Sequence, residues 1–196
     1  MKINLGAGPN WEHNGWHILD HKIQKNEKFK IKGNLNNINL KDKSCDLVFI
    51  SHTLEHIPHI QIQNVLTEIN RIMKKGATIR ILVPNLESIA RAYIKKDKDF
   101  FKQALDEDHS IRTDLGYGGM LMNFIVSPGQ DTILLDRNLK NFISGYAHLY
   151  AYDFEMMKIL LKKCGFKNIV KKNFCVSKIK DFKTPCHILG RNSKYR

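Results

Sequence analysis

Apolar and polar positions along this chain follow two periods in turn. Lys2-Ile3-Asn4-Leu5 is a short strand-like run halted by Gly6-Ala7-Gly8-Pro9-Asn10, and glycines just past a strand mark a tight turn with close backbone approach. A second extended run, Trp16 to Leu19, ends on the acidic Asp20. A third is predicted near Phe29 to Ile31, before Gly33-Asn34-Leu35. Cys45 to Ile50 holds the continuous apolar run of a strand covered on both faces, as in a parallel sheet.

The period then changes. Between Ile62 and Met73 the apolar residues fall at 62, 65, 66, 69, 72 and 73, a helical stripe closed by Lys74, Lys75 and Gly76. Ala77 to Val83 is the next predicted strand. Pro84 ends it, and Asn85 offers an N-cap to a helix with the stripe Leu86, Ile89, Ala90, Tyr93 and Ile94. A last helix runs from an Asp153 cap through Met156, Met157, Leu160, Leu161 and Cys164 to Gly165-Phe166, with closing strands expected over Ile169 to Val176 and His187 to Leu189.

Strands alternating with helices imply βαβ units. The predicted fold class is therefore α/β, a doubly wound, Rossmann-like and mainly parallel sheet, in a single domain over residues 1–196. Residues 6–17 include Pro9 and Gly15, so the first crossover has room for one helical turn at most. Residues 107–152 are too many for a plain connection; with GYGG at 116–119 and Tyr117, Phe124, Tyr146, Tyr150 and Tyr152, they are predicted to be a lid or acceptor-site insertion.

Composition narrows the class without changing this order. With 42% hydrophobic and 26% charged residues the chain can bury enough apolar surface to fold, which excludes disorder as its main state. Its apolar runs fall far short of the roughly 20 residues of a membrane helix. The opening MKINLGAGPN has no secretory pattern, so the expected location is the cytoplasm. The net charge of +13 is spread almost evenly over both halves, with no basic tail, and patches rather than totals mark nucleic-acid sites. Cys45, Cys164, Cys175 and Cys186 show no CxxC pair and read as free thiols; no metal site is expected from them.

The turn LGAGPN, the strand-end Asp20, GNL at 33–35, DLVFISHTLEH, KKGATIRILVPN and YDFEMMKILLKKCGF stand in a fixed order. In that order the sequence resembles the class I S-adenosylmethionine-dependent methyltransferases over nearly its whole length. The likeness is to the type 11 branch and to small methyltransferases associated with surface polysaccharide pathways. The resemblance implies S-adenosylmethionine as cofactor and a small-molecule or glycan-like acceptor. An RNA methyltransferase and a non-catalytic cofactor-binding module are the alternatives. A nicotinamide enzyme is disfavoured because Gly6-Ala7-Gly8-Pro9-Asn10-Trp11 lacks the third glycine of G-x-G-x-x-G.

Physical chemistry gives each match a role. Gly6, Ala7 and Gly8 would admit the cofactor's methionine part close to backbone N–H groups, with Asn10 beside them. An ionised Asp20 would accept from the ribose hydroxyls, as an acid after strand two does in dinucleotide-binding sheets. Asn34 would pair with the adenine and Leu35 cover its ring, and Ser51 would close the cofactor side at the end of the fourth strand. On the acceptor side, His52 is the first candidate for a proton acceptor and His148 the second, since imidazole titrates near working pH. His56, Tyr117 and Tyr150 are the candidate acceptor-binding residues. SHTLEH is not H-E-x-x-H and shows no third ligand for a metal among its neighbours in sequence.

Overall fold

The computed structural model describes residues 1–105, 115–126, 148–173, 176–177 and 179–182. They fall into two compact units. One comprises the described residues of 1–54, 60–82 and 155–189, the other those of 55–59 and 83–154.

The first unit is built on five parallel strands, β1 (Lys2–Leu5), β2 (Trp16–Asp20), β3 (Lys30–Lys32), β4 (Cys45–Ser51) and β5 (Met73–Leu82), in the order β3-β2-β1-β4-β5. β1 lies in the middle, pairing Leu5 with Leu19 on one side and with Ile50 on the other. The apolar runs that predicted these strands are buried, with Ile3, Leu5, Leu19, Val48 and Ile50 at zero exposure. Helix α1 (Ile62–Ile72) buries the stripe Ile62, Val65, Leu66, Ile69 and Ile72. Trp16, Phe49 and Leu82 form a second apolar cluster with Trp11, Leu47 and Ile179 packed against it.

As expected, no helix occupies residues 6–15; the first crossover consists of turns. Two strand expectations need correction. Gly76 does not stop α1: Met73 is already extended, and the carbonyls of Arg71 and Ile72 at the helix end accept from the N–H groups of Lys43 and Ser44. With those carbonyls satisfied, no glycine cap is needed. β5 therefore starts at Met73 rather than Ala77. Its register with β4 jumps from Cys45↔Met73 to Leu47↔Thr78, so Lys74–Ala77 bulge outward, and Gly76 supplies the left-handed residue there, at φ +81°.

The second correction concerns the closing strand. Residues 169–173 and 176–177 carry no strand, with Val170 and Val176 exposed. The Arg80 guanidinium on β5 donates to the carbonyls of Asn173 and Val176, so a side chain rather than a ladder ties this segment to the sheet. His187–Leu189, Cys175 and Cys186 lie outside the described residues, as do 106–114 and 127–147 of the insertion. Cys45 and Cys164 are free and buried.

In the second unit the N-cap expectation for Asn85 holds: its Oδ1 accepts from the Glu87 N–H at 3.1 Å at the start of α2 (Leu86–Lys95). α3 (Lys98–Leu105) and α4 (Gly116–Ile125) follow, with Ala92, Phe101 and Met120 buried together. GYGG thus opens a helix. In the first unit, which takes all of it but Phe154, α5 (Phe154–Lys163) closes on Gly165 at φ +86°, where the Gly165 N–H donates to the Lys162 carbonyl and the Phe166 N–H to the Leu161 carbonyl, the paired bonds of a Schellman stop. Among the described residues no helix is long and apolar enough to cross a membrane.

Candidate active site

From β1 the chain winds outward through β2 to β3 and then crosses back to β4 on the other side of β1. The carboxyl ends of β1 and β4 therefore flank a topological switch point, where open α/β sheets leave a crevice for ligands. Gly6 stands beyond β1, and His52 with Thr53 beyond β4.

Gly6 has φ +71° and donates its N–H to the Leu19 carbonyl at 2.8 Å. A Cβ at this position would overlap the Thr53 side chain. The Thr53 hydroxyl faces the carbonyls of Gly6 at 3.2 Å and Ser51 at 3.1 Å, so this one residue fills the space beside the turn and ties it to β4. Gly8 differs. It also has a positive φ, +78°, yet a Cβ there would meet nothing within 4 Å.

Asp20, 6% exposed at the end of β2, holds the turn from the other side. Its Oδ2 accepts from the Gly8 N–H and its Oδ1 from the Lys22 N–H, both at 2.8 Å. Each carboxylate oxygen keeps a further lone pair for a ligand hydroxyl. The open space at Gly8 and this buried carboxylate beside it suit a ligand with a polar amino-acid end and a diol.

Residues 16–81 match the family model described as a methyltransferase domain. Among solved structures, a methyltransferase from Mesorhizobium loti described as S-adenosylmethionine-dependent is 12% identical, covers 98% of this chain and 86% of its own, and has a TM-score of 0.50. Two further ones, from Thermotoga maritima and Archaeoglobus fulgidus, are each 18% identical with a TM-score of 0.47 and cover 85% of this chain. The chain spans 64% of the length of the first and 61% of the second. No curated protein matches the chain. The architecture is that of the class I methyltransferases, a mainly parallel sheet with alternating helices.

In this methyltransferase fold the other predicted residues of the first unit take varied positions. Ala7 is half-buried and Asn10 exposed in the first crossover. Asn34 is exposed, and its Oδ1 accepts from the Asn36 N–H at 3.0 Å, while Leu35 is buried. Ser51 is buried at the end of β4, and His52 adopts φ +50° with its N–H donating to the Leu82 carbonyl. A non-glycine residue in that region carries strain of the kind that collects at functional sites. His13 and His21 are exposed, and His17 lies half-buried in β2 against Phe29. A cavity of about 550 Å³ lined by Trp11–Trp16 and Glu27–Lys30 includes none of Gly6, Gly8 and Asp20. Strand topology and the glycine turn locate the site better than that cavity does.

The second unit gathers a different group. The backbone carbonyl of the fully buried Glu55 accepts from the N–H groups of Leu149 at 2.7 Å and Tyr150 at 3.3 Å. That anchoring sets His148 beside His56, with ring centroids 4.9 Å apart at 65°. His148 Nδ1 lies 3.2 Å from the Phe124 carbonyl, a group that only accepts, so Nδ1 is the donor and the lone pair of the neutral ring sits on Nε2. His59 stacks on Tyr150 at 4.1 Å, and Tyr150 lies 5.2 Å from Tyr152. Burial pushes the Tyr152 phenol well above its ordinary range, with the charges of Tyr150 and Glu55 adding to the effect. Tyr117 packs in the aromatic cluster, 5.9 Å from Phe101.

Sequence reasoning missed Thr53, Glu55, His59 and Tyr152. Thr53 had no signal, since its partner Gly6 is 47 residues away. A third ligand for the SHTLEH pair had no local signal either: the group that meets Glu55 and His56 is His148.

Proposed function

We propose that the protein is an S-adenosylmethionine-dependent methyltransferase acting on a small-molecule or glycan-like acceptor. The observation that carries this reading is the Gly6–Gly8–Asp20 turn at the switch point of a sheet whose residues 16–81 match a methyltransferase domain. When bound, the cofactor supplies a methyl group activated by its sulfonium. Gly6, Ala7 and Gly8 make room for its methionine part, the remaining lone pairs of Asp20 accept from the ribose hydroxyls, and Asn10, Asn34, Leu35 and Ser51 complete its surroundings. A small acceptor is favoured over a nucleic acid because SHTLEH, after β4, lacks the [DN]-P-P-[YF] element that grips a flipped base.

Calorimetric titration of the full chain with S-adenosylhomocysteine tests the reading. Saturable binding is expected, weakened by about 1–3 kcal/mol in Asp20→Ala through loss of charge-assisted hydrogen bonds. Absence of binding to both S-adenosylhomocysteine and S-adenosylmethionine would overturn it. Labelled methyl transfer into glycan or small-molecule fractions of an extract, rather than into RNA, checks the acceptor class.

His52 and His148 are the proposed proton acceptors for a hydroxyl or protonated-amine acceptor, with His56, Tyr117 and Tyr150 on the acceptor side. Nδ1–H of His148 is already directed to Phe124, which leaves Nε2 for a proton. Once an acceptor is identified, His52→Ala or His148→Ala should lower kcat/KM by about 10² or more for loss of a general base. Values for both variants within about threefold of the parent would remove the role from both residues.

A further inference from the structure

We propose that Glu55, His56 and His148 form a site for one divalent transition-metal ion in the second unit. One ligand atom from each of the three lies within 4.8 Å of the other two. Ligands at about 2.0–2.2 Å from a tetrahedral ion stand roughly 3.3–3.5 Å apart, so modest side-chain adjustment closes the set. Two imidazole nitrogens and one carboxylate oxygen are borderline donors that suit Zn²⁺, Fe²⁺ or Co²⁺ better than Mg²⁺ or Ca²⁺.

Two features beyond proximity support the ion. His148 Nδ1–H is held by the Phe124 carbonyl, the outer hydrogen bond that fixes the tautomer of a ligating imidazole and frees Nε2. Tyr152, 1% exposed, has a buried hydroxyl with no hydrogen-bond partner among the described residues, and its ring lies 5.2 Å from that of Tyr150, whose N–H donates to the Glu55 carbonyl. A metal-bound water or acceptor hydroxyl would supply that partner.

Three protein ligands leave an open coordination position, where an acceptor's hydroxyl or amine would bind and lose its proton more readily. His148 is then a ligand and not a proton acceptor. This role for the ion rests on the methyltransferase reading; its binding does not.

The tag-free full chain, stripped with a chelator and dialysed, is titrated with Co²⁺ and followed by visible d–d absorption, with Zn²⁺ as competitor. One ion per chain and a rise in melting temperature with Zn²⁺ are expected. His148→Ala and Glu55→Gln should each weaken binding by about a hundredfold or more, whereas the exposed-histidine variants His13→Ala and His21→Ala should bind as the parent does. A folded parent that takes up neither ion, or a His148→Ala variant with parental affinity, overturns the proposal. If Glu55→Gln does not fold, His148→Ala and the parent's uptake decide. S-adenosylhomocysteine binding by the same stripped protein reads the methyltransferase proposal separately.

Discussion

The two ends of the parallel sheet are held together by different physics. At the carboxyl ends of β1, β2 and β4 the chain is fixed by backbone conformation and buried polar groups: Gly6 and Gly8 at positive φ, the Asp20 carboxylate on the Gly8 and Lys22 N–H groups, and Thr53 wedged against Gly6. At the amino ends the ties are exposed ion pairs. Asp46, at the start of β4, meets the Met1 ammonium and the Lys74 ammonium, and Lys2 meets Asp181. Buried polar ties on a turn that only glycine adopts without strain hold precise shape, while exposed pairs add little to shape or stability. The precisely shaped end is the one where a ligand is expected.

The strongest way to break the contrast is Gly6→Ala. The new methyl combines left-handed strain with overlap on Thr53, a loss of about 2–4 kcal/mol. Denaturant melts should show it, and Thr53→Ala in the same chain should restore part of it, because the two residues touch. Full additivity of the two changes would mean that Thr53 is not the wedge. Gly8→Ala sharpens the comparison within this one turn. It meets open space, so strain alone remains, about 1 kcal/mol. Its larger effect is expected on S-adenosylhomocysteine binding, since the methyl enters the room left for the ligand. A variant that unfolds as Gly6→Ala does, or binds as the parent does, contradicts that division.

The same contrast explains what could be read from the chain. Gly6, Gly8 and Asp20 lie within one short stretch, so spacing alone placed them at strand ends, and continuous apolar runs placed β1, β2 and β4. Thr53 and His148 act through partners far off in sequence, where no periodicity reports. Gly76 misled because a glycine after a helical stripe usually caps it; here Lys43 and Ser44 had already satisfied the helix end. The closing strand failed for a related reason. Val170 and Val176 have strand-like side chains, but Arg80 takes the carbonyls of that segment, and a guanidinium on another strand has no local signature.

The smallest effect belongs to the amino end. Hydrogen bonds from Lys74 and then from the chain-terminal ammonium hold the Asp46 carboxyl down at about 2. A carboxylate depressed in the folded state contributes stability above its unfolded pKa of about 4, and that contribution disappears as pH falls toward 2. Glu68 beside Arg71 and Asp181 beside Lys2 are depressed in the same direction, so the parent's melting temperature falls over this range whatever Asp46 does. Asp46→Asn isolates its share. The variant should approach the parent as pH falls through 2, where the folded parent's carboxyl becomes protonated, and fall slightly below it at pH 6. The gap should shrink in high salt, because Asp46 and Lys74 are exposed to solvent. A gap at pH 6 as large as that of Gly8→Ala would show that the ion pairs hold the sheet as firmly as the glycine turn does.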